Sequence, residues 1–561
     1  MKKKLKIVSY ITGIIRFINQ YNRLYICISV ISLVVIGVLP IVSIHLTQMT
    51  INAIQRGSHE LRRIVWLLVL ICLLNILQAI INEAYSYYNV KVTLNLSRRI
   101  NIMMLEKSAR LELSDFENPQ TFDRISRAQN QTGSQILAFV TELFSVFQQL
   151  ATAIATIWMI ANFRWWLIIL CVTVPVIRFF VSVRISKEQY NMRYKRTQKE
   201  RKCGYIKYLF STTEGMEELK IFQFTKRRIR QYSDLQKEFI KQDLTIEKKN
   251  NILIITTEVL ATAVSGVCMA YCVLEAFFGR ILLGDVIAYI DYIEKINESI
   301  ENIFADMQQM VSESLYVRLL VDFLEMPEEK IRDQKIERIQ TIEFRNVSFG
   351  YGNNLVLKNV NFRFQSGDFI KIVGINGSGK TTLLKLLMGI YDDYDGQILI
   401  NDSELKDINR ESYYEHLGCV FQNYEKYEDT IATNITCDDS RYSKKEILRN
   451  ADSVGLLKKI ESIGGLNTIV GHWFGEHQLS DGEWQKIAVA RALIRNSDFL
   501  ILDEPDAALD SISAKRIHNE LLHKVEIRKC IAIKVSHKTD ENDVQYTGIY
   551  RLQDGTLIME K

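Results

Sequence analysis

Eight consecutive residues, Gly374-Ile375-Asn376-Gly377-Ser378-Gly379-Lys380-Thr381, place glycines, a lysine and a hydroxyl in the spacing G-x-x-x-x-G-K-[ST]. That combination suits polyphosphate chemistry. Glycines let successive backbone N–H groups converge on an anion at a helix N-terminus, where the helix dipole adds to their pull. Lys380 supplies charge for β- and γ-phosphates, and Thr381 a hydroxyl for Mg2+. The apolar stretch Phe369–Val373 precedes the loop and a helical pattern over 382–388 follows it. This is the strand–loop–helix setting the motif requires. A second apolar run starts at Phe499 and ends in two carboxylates, Asp503 and Glu504. Asp503 suits the shell of a magnesium ion, usually through water. Glu504 suits orienting or deprotonating an attacking water. An acidic pair at a strand end is more often a surface cap, but beside a phosphate loop it reads as catalytic.

A strand pair carrying these groups calls for an α/β domain, and the rest of the 561 residues must be something else. Charge divides the chain. Residues 1–330 hold 40 Lys+Arg against 30 Asp+Glu, and residues 331–561 hold 30 against 35. Neutral mean hydropathy therefore averages a basic, membrane-type half with an acidic, water-soluble one. Disorder is excluded by the 48% hydrophobic content. A disulfide scaffold is excluded because the nine cysteines are odd in number and lie partly in apolar runs.

The first half reads as a membrane domain. Apolar runs cover 24–46, 64–81, 136–161, 165–183, 252–278 and, more weakly, 284–310. At 1.5 Å per residue, such lengths span a hydrocarbon core of roughly 30 Å. Lys2-Lys3-Lys4 opens a stretch expected to be an interfacial helix over 5–19. The Lys+Arg excess in 82–135 and 184–251 (7 and 18 residues) predicts six spans with both termini cytoplasmic. Those connections, 54 and 68 residues long, are too long to be structureless. Helical hairpins with arms of ~25 residues would project ~38 Å. Their tips are expected at 113–119 and 214–220. The organisation expected is a transmembrane domain over 1–326, a linker around Pro327 over 327–340, and a nucleotide-binding domain over 341–561.

The sixth run carries Asp291, Glu294, Glu298 and Glu301 at i, i+3, i+7 and i+10, one helical face. An ionised residue at mid-bilayer costs ~3 kcal/mol, so this face is expected to look into a wet cavity or toward protein, lining a path for a cationic substrate. A second reading starts the span near Val273 and makes the stripe a solvated extension.

The string Leu479-Ser480-Asp481-Gly482-Glu483 followed by Gln485-Lys486 resembles the signature of ATP-binding cassette (ABC) proteins, whose usual form is L-S-G-G-Q. Further family elements appear in order: Tyr351 as an adenine-stacking platform, Gln422 in a Q-loop, Asp510 in a D-loop and His537 as a switch histidine. Phe116-Glu117-Asn118-Pro119 and Glu217-Glu218-Leu219-Lys220-Ile221-Phe222 resemble the coupling regions of ABC exporters. The resemblance implies a six-helix membrane domain plus an α/β P-loop cassette. It further implies a half-transporter working as a dimer, most simply a homodimer, with ATP and Mg2+ between two cassettes. It assigns Glu504, His537 and Gln422 to catalysis, and Thr381, Gln422 and Asp503 to the metal. Gly374, Asn376, Gly377, Ser378, Gly379, Lys380, Thr381, Thr382, Tyr351, Ser480, Gly482 and Asp510 fall to nucleotide binding. Asp481 and Glu483 depart from the usual signature.

The stretch Gly471-His472-Trp473-Phe474-Gly475-Glu476, with Trp484 after the signature, is similar to exporters of lantibiotic and bacteriocin peptides. Only 23 residues precede the first span, without a Cys–His pair, so leader cleavage is not expected of this chain. Multidrug or lipid export, or service as one subunit of a heterodimer, are the alternatives. Basic charge in the first half suits an anionic membrane surface better than nucleic acid. The expected location is a bacterial plasma membrane, with the cassette in the cytoplasm and lipid as a partner.

Overall fold

The computed structural model describes residues 23–56, 61–118, 121, 125, 133–352, 354–437, 441–472, 475, 477–536 and 545–561. The expected interfacial helix over 5–19 lies outside them, as do Pro119, Trp473, Phe474, Glu476 and His537. The chain forms two compact units. One holds 1–110 and 119–327, the other 111–118 and 328–561.

In the first unit, six long helices follow one another: α1 (Arg23–Gln55), α2 (Leu61–Ala109), α4 (Gly133–Ala161), α5 (Trp165–Ser211), α7 (Thr225–Phe277) and α8 (Leu283–Leu324). Two short helices stand at the expected tips, α3 (Leu113–Glu117) and α6 (Thr213–Ile221). α3 belongs by its contacts to the second unit. Among the described residues, α1, α2, α7 and the segments Ala138–Ala161 of α4 and Trp165–Arg193 of α5 are long and apolar enough to cross a membrane. The helices run on well past the apolar spans: at 1.5 Å per residue, the 53 residues of α7 extend about 80 Å. Pro40 and Pro175 sit inside α1 and α5, each removing one backbone bond from its helix.

These helices pack through small and apolar faces. The Thr152 hydroxyl of α4 donates to the Gly37 carbonyl of α1 at 2.9 Å. A Cβ on Gly37 would lie 2.7 Å from that hydroxyl, so the crossing requires glycine. A core of Ile41, Ile160, Leu167, Cys268, Tyr292 and Ile296 joins five of the helices. α8 buries Tyr292, Ile293, Ile296 and Ile300, while Glu294 and Glu298 on its other face are exposed. α7 ends at Phe277 and α8 begins at Leu283. That break removes the reading in which one span starts near Val273 and carries the acidic stripe as its extension. Arg178 of α5 pairs with Glu301 at 2.9 Å.

The second unit is layered α/β. A six-stranded sheet has the order β12-β11-β3-β10-β9-β6. Its strands are β3 (Phe369–Val373), β6 (Leu417–Val420), β9 (Phe499–Asp503), β10 (Ile531–Val535), β11 (Gly548–Gln553) and β12 (Thr556–Met559). All pairings are parallel except β11 with β12. β9 and β10 are buried along their whole length, as parallel strands covered on both faces must be. An antiparallel sheet, β2-β1-β4-β5, stands beside it, from β1 (Thr341–Tyr351), β2 (Asn354–Gln365), β4 (Asp395–Ile400) and β5 (Ser403–Glu404), and β7 (Asp429–Thr430) pairs separately with β8 (Ile469–Val470). α9 (Lys380–Leu387) leaves the end of β3. Between the sheet strands lie α10 (Arg410–Glu415), α11 (Ile431–Thr436), α12 (Lys444–Ser453), α13 (Leu457–Ser462) and α14 (Asp481–Ile494), and α15 (Ser511–Arg528) connects β9 to β10.

Candidate functional site

The carboxyl ends of central parallel strands are where open α/β sheets bind ligands, and β3 and β9 bring their terminal loops together there. The loop from Gly374 to Gly379 turns directly into α9. Gly377 and Gly379 have φ of +79° and +101°, a backbone that favours glycine. A Cβ on Gly377 would meet nothing within 4 Å, whereas one on Gly379 would lie 2.9 Å from Val356. The first faces open space and the second is held against the fold. Asn376 is exposed at the crest of the loop. The Ser378 hydroxyl is buried and has no hydrogen-bond partner among the described residues, so the loop leaves a donor that a phosphate oxygen would satisfy.

Lys380 is buried, and its ammonium donates to the Gly374 and Ile375 carbonyls at 2.8 and 3.0 Å. Burial pushes its pKa below the usual lysine range against the opposing pull of Glu504 and Asp503. The Thr381 hydroxyl donates to Asp503 Oδ2 at 3.2 Å. A hydroxyl beside a buried carboxylate is an oxygen-only donor set of the kind a hard divalent cation takes, so Thr381 and Asp503 fit Mg2+. Bound there, the ion would supply charge neutralisation to the phosphates. Glu504 follows with φ +51°, left-handed for a non-glycine residue, and its N–H donates to the Val535 carbonyl at 3.2 Å. Left-handed non-glycine backbone is kept only where the surroundings enforce it.

Here the structure gives a role to Gln485, which stands in the signature string but has no function assigned by the motif. Gln485, buried in α14, donates from Nε2 to the Glu504 carbonyl at 2.8 Å, and its Oε1 accepts from the Ala508 N–H at 2.6 Å. Its amide clamps both sides of the turn after β9. The available signal in the sequence was an amide side chain on the buried face of a helix, which needs a polar partner.

Tyr351 ends β1 half exposed, its hydroxyl 3.4 Å from Thr382 Oγ1 in α9 and 3.3 Å from the Tyr391 hydroxyl. Tyr391 and Lys385 both donate to the Glu117 carboxylate. The tip helix α3 is thus linked through two tyrosines to the start of α9. Burial raises the Glu117 carboxyl, but the hydrogen bonds from Lys385 and Tyr391 outweigh it and hold the group below the usual range. Because Glu117 is part-exposed, its bonds are discounted to about 1 kcal/mol. Glu117→Ala is expected to speed amide hydrogen exchange several-fold over 111–118 while leaving the exchange of β3 and β9 unchanged. Exchange over 111–118 equal to wild type would show that other contacts hold the helix.

The remaining sequence-derived residues lie elsewhere. Gln422 is exposed just past β6. Asp510 caps α15, accepting from the Ser513 N–H at 2.8 Å. Ser480 caps α14, its hydroxyl accepting from the Glu483 N–H at 3.3 Å. A Cβ on Gly482 would lie 3.0 Å from the Ala508 carbonyl.

The model of the ABC transporter family matches residues 357–507, and that of the ABC transporter transmembrane region matches 25–299. The subtilin transport ATP-binding protein of Bacillus subtilis is 31% identical over 90% of this chain and 83% of its own length. The nisin transport ATP-binding protein of Lactococcus lactis is 28% identical over 93% and 88%. An ATP-dependent lipid A-core flippase of Pectobacterium atrosepticum is 26% identical over 84% and 80%. A bacterial Atm1-family ABC exporter solved with ATP bound superposes with a TM-score of 0.81 at 19% identity, covering 95% of this chain and 93% of that one. This last likeness concerns the fold.

Proposed function

The chain belongs to the ABC transporter family, and from that premise we propose that two copies form a homodimeric exporter of a cationic peptide. It is a multi-pass membrane protein of the exporter type, with an ATPase coupled to transport. In the proposed organisation residues 1–326 form the transmembrane domain, 327–340 a linker and 341–561 the cassette, in a bacterial plasma membrane with the cassette on the cytoplasmic side. ATP with Mg2+ is held by 374–382, Tyr351 and Asp503 of one chain and met by Ser480, Gly482 and Asp510 of the other. Thr381, Gln422 and Asp503 would hold the ion. Glu504 acts as general base, with Gln422 and His537 completing the catalytic set.

A cavity between α7 and α8 carries the peptide reading. It measures about 480 Å3 and is lined by Glu258, Glu294, Glu298 and Glu301 together with Thr262, Ser265 and Asn297. Asp291, expected on the same face, is not in its lining. Lys295 pairs with Glu298 at 2.6 Å and Arg178 with Glu301 at 2.9 Å. Among the described residues Glu258 and Glu294 form no ion pair, so they are the acids left to receive a cation. Charge in a low-dielectric wall acts more strongly than at a surface. The names of the subtilin and nisin transport relatives support a peptide cargo. The lipid A-core flippase relatives favour a lipid instead.

The deciding experiment is ATPase of the full-length protein in lipid vesicles, titrated with basic peptides, lipids and drugs. Basic peptides should stimulate turnover, and Glu258→Gln with Glu294→Gln should reduce that stimulation at least threefold with basal hydrolysis retained. Unchanged stimulation would sink the cationic-peptide reading, and stimulation by lipid alone would replace it.

A further inference from the structure

The signature departs from L-S-G-G-Q at two positions, and both changes put a carboxylate, Asp481 and Glu483, into the first turn of α14. For the helix alone these charges are favourable, because they face the positive end of its dipole. For a helix N-terminus that must receive a phosphate they have the wrong sign. Each carboxylate is met by a lysine from outside the helix. Lys426 Nζ stands 2.8 Å from Asp481 Oδ1, and the Tyr424 hydroxyl donates to the Asp481 carbonyl at 3.1 Å. Lys459 Nζ of α13 stands 3.1 Å from Glu483 Oε1, while Glu483 Oε2 accepts from the Ser480 N–H at 2.8 Å. The Lys426 hydrogen bond lowers the Asp481 carboxyl. Burial raises that of Glu483, but the bonds from Ser480 and Lys459 bring it below its ordinary value.

Stability is a weak account of these pairs. The Lys426 and Asp481 side chains are 47% and 78% exposed, and exposed pairs contribute little. What the lysines change is the field at the head of α14, where like charge repels an incoming anion and opposite charge cancels that repulsion.

We propose that Lys426 and Lys459 are positioning residues for nucleotide: they cancel Asp481 and Glu483 so that Ser480 and Gly482 remain able to receive the triphosphate held by the partner copy. The proposal rests on the reading that two cassettes close on ATP.

The test is ATPase kinetics of the full-length protein in lipid vesicles, with thermal unfolding as a check on folding. Lys426→Ala leaves Asp481 uncancelled, and the KM for ATP should rise about three- to tenfold with kcat within twofold. The rise should shrink at about 0.5 M salt, where the field is screened. Lys426→Arg should behave as wild type. Adding Asp481→Gly to Lys426→Ala should return KM to the wild-type value, which a merely structural role for the lysine would not do. A Lys426→Ala KM equal to wild type, or a double variant as poor as the single, overturns the proposal while leaving the two-cassette reading standing. Wild-type cassettes that hydrolyse ATP without ATP-dependent association, measured by cross-linking, would overturn both.

Discussion

Replacing Glu504 with Gln is expected to lower ATP turnover at least 100-fold while ATP remains bound, read as a stable protein–nucleotide complex after gel filtration. General acid–base assistance contributes 10²–10⁴-fold in typical enzymes, and the amide keeps the volume of the carboxylate while losing its ability to take a proton. The location makes this a sharp substitution. Glu504 follows the buried Asp503 at the end of β9, and both carboxylates oppose the desolvation of Lys380. The Glu504 backbone is anchored from two sides, by its N–H to Val535 and its carbonyl to Gln485. A Gln side chain should therefore occupy the same place without moving the phosphate loop. Residual hydrolysis within tenfold of wild type would mean that another group serves as base.

The distinction between legible and hidden features follows from how each is encoded. The phosphate loop is a contiguous string whose backbone conformation is dictated by Gly377 and Gly379, so its residues announce both the turn and the ligand. Five of the six long helices are legible because apolar length is a local property, while α8, with its acidic stripe, is not among those apolar enough to cross a membrane. The short helices at 113–117 and 213–221 follow from long connections with breakers midway. Pairings between distant residues have no such signature. Lys385 meets Glu117 across 268 positions and Lys426 meets Asp481 across 55, and neither spacing matches a structural period. The acidic stripe was only half readable. Periodicity put Asp291, Glu294, Glu298 and Glu301 on one face, but it could not say that Arg178 would take Glu301, that Lys295 would take Glu298, or that Glu258 of α7 would join the cavity. Helix phase gives direction around one axis, whereas a cavity depends on how several helices cross.

Gln485 is the strongest case of a hidden role, a residue of the signature string whose contacts to Glu504 and Ala508 no spacing announces, and its replacement should have the second-largest effect. Gln485→Ala removes the donor to the Glu504 carbonyl and the acceptor from the Ala508 N–H. Each buried polar group left without a partner costs about 1–3 kcal/mol. The cost falls on a turn already holding Glu504 at φ +51°, where relaxation to an ordinary backbone relieves about 1–3 kcal/mol. The turn should therefore relax and carry the Glu504 carboxylate away from its working position. A misplacement of about 1 Å is enough for a loss of order 100-fold. The expected result is a 10- to 100-fold fall in kcat with the KM for ATP within threefold, because Lys380, Thr381 and the loop glycines are untouched. Gln485→Glu is the informative companion. It preserves the acceptor for Ala508 but replaces the donor to the Glu504 carbonyl with a carboxylate, so it should fall between wild type and Ala as the pH is lowered and approach Ala as it is raised. Equal kcat for wild type and Gln485→Ala would show that the Val535 bond alone holds Glu504 in place.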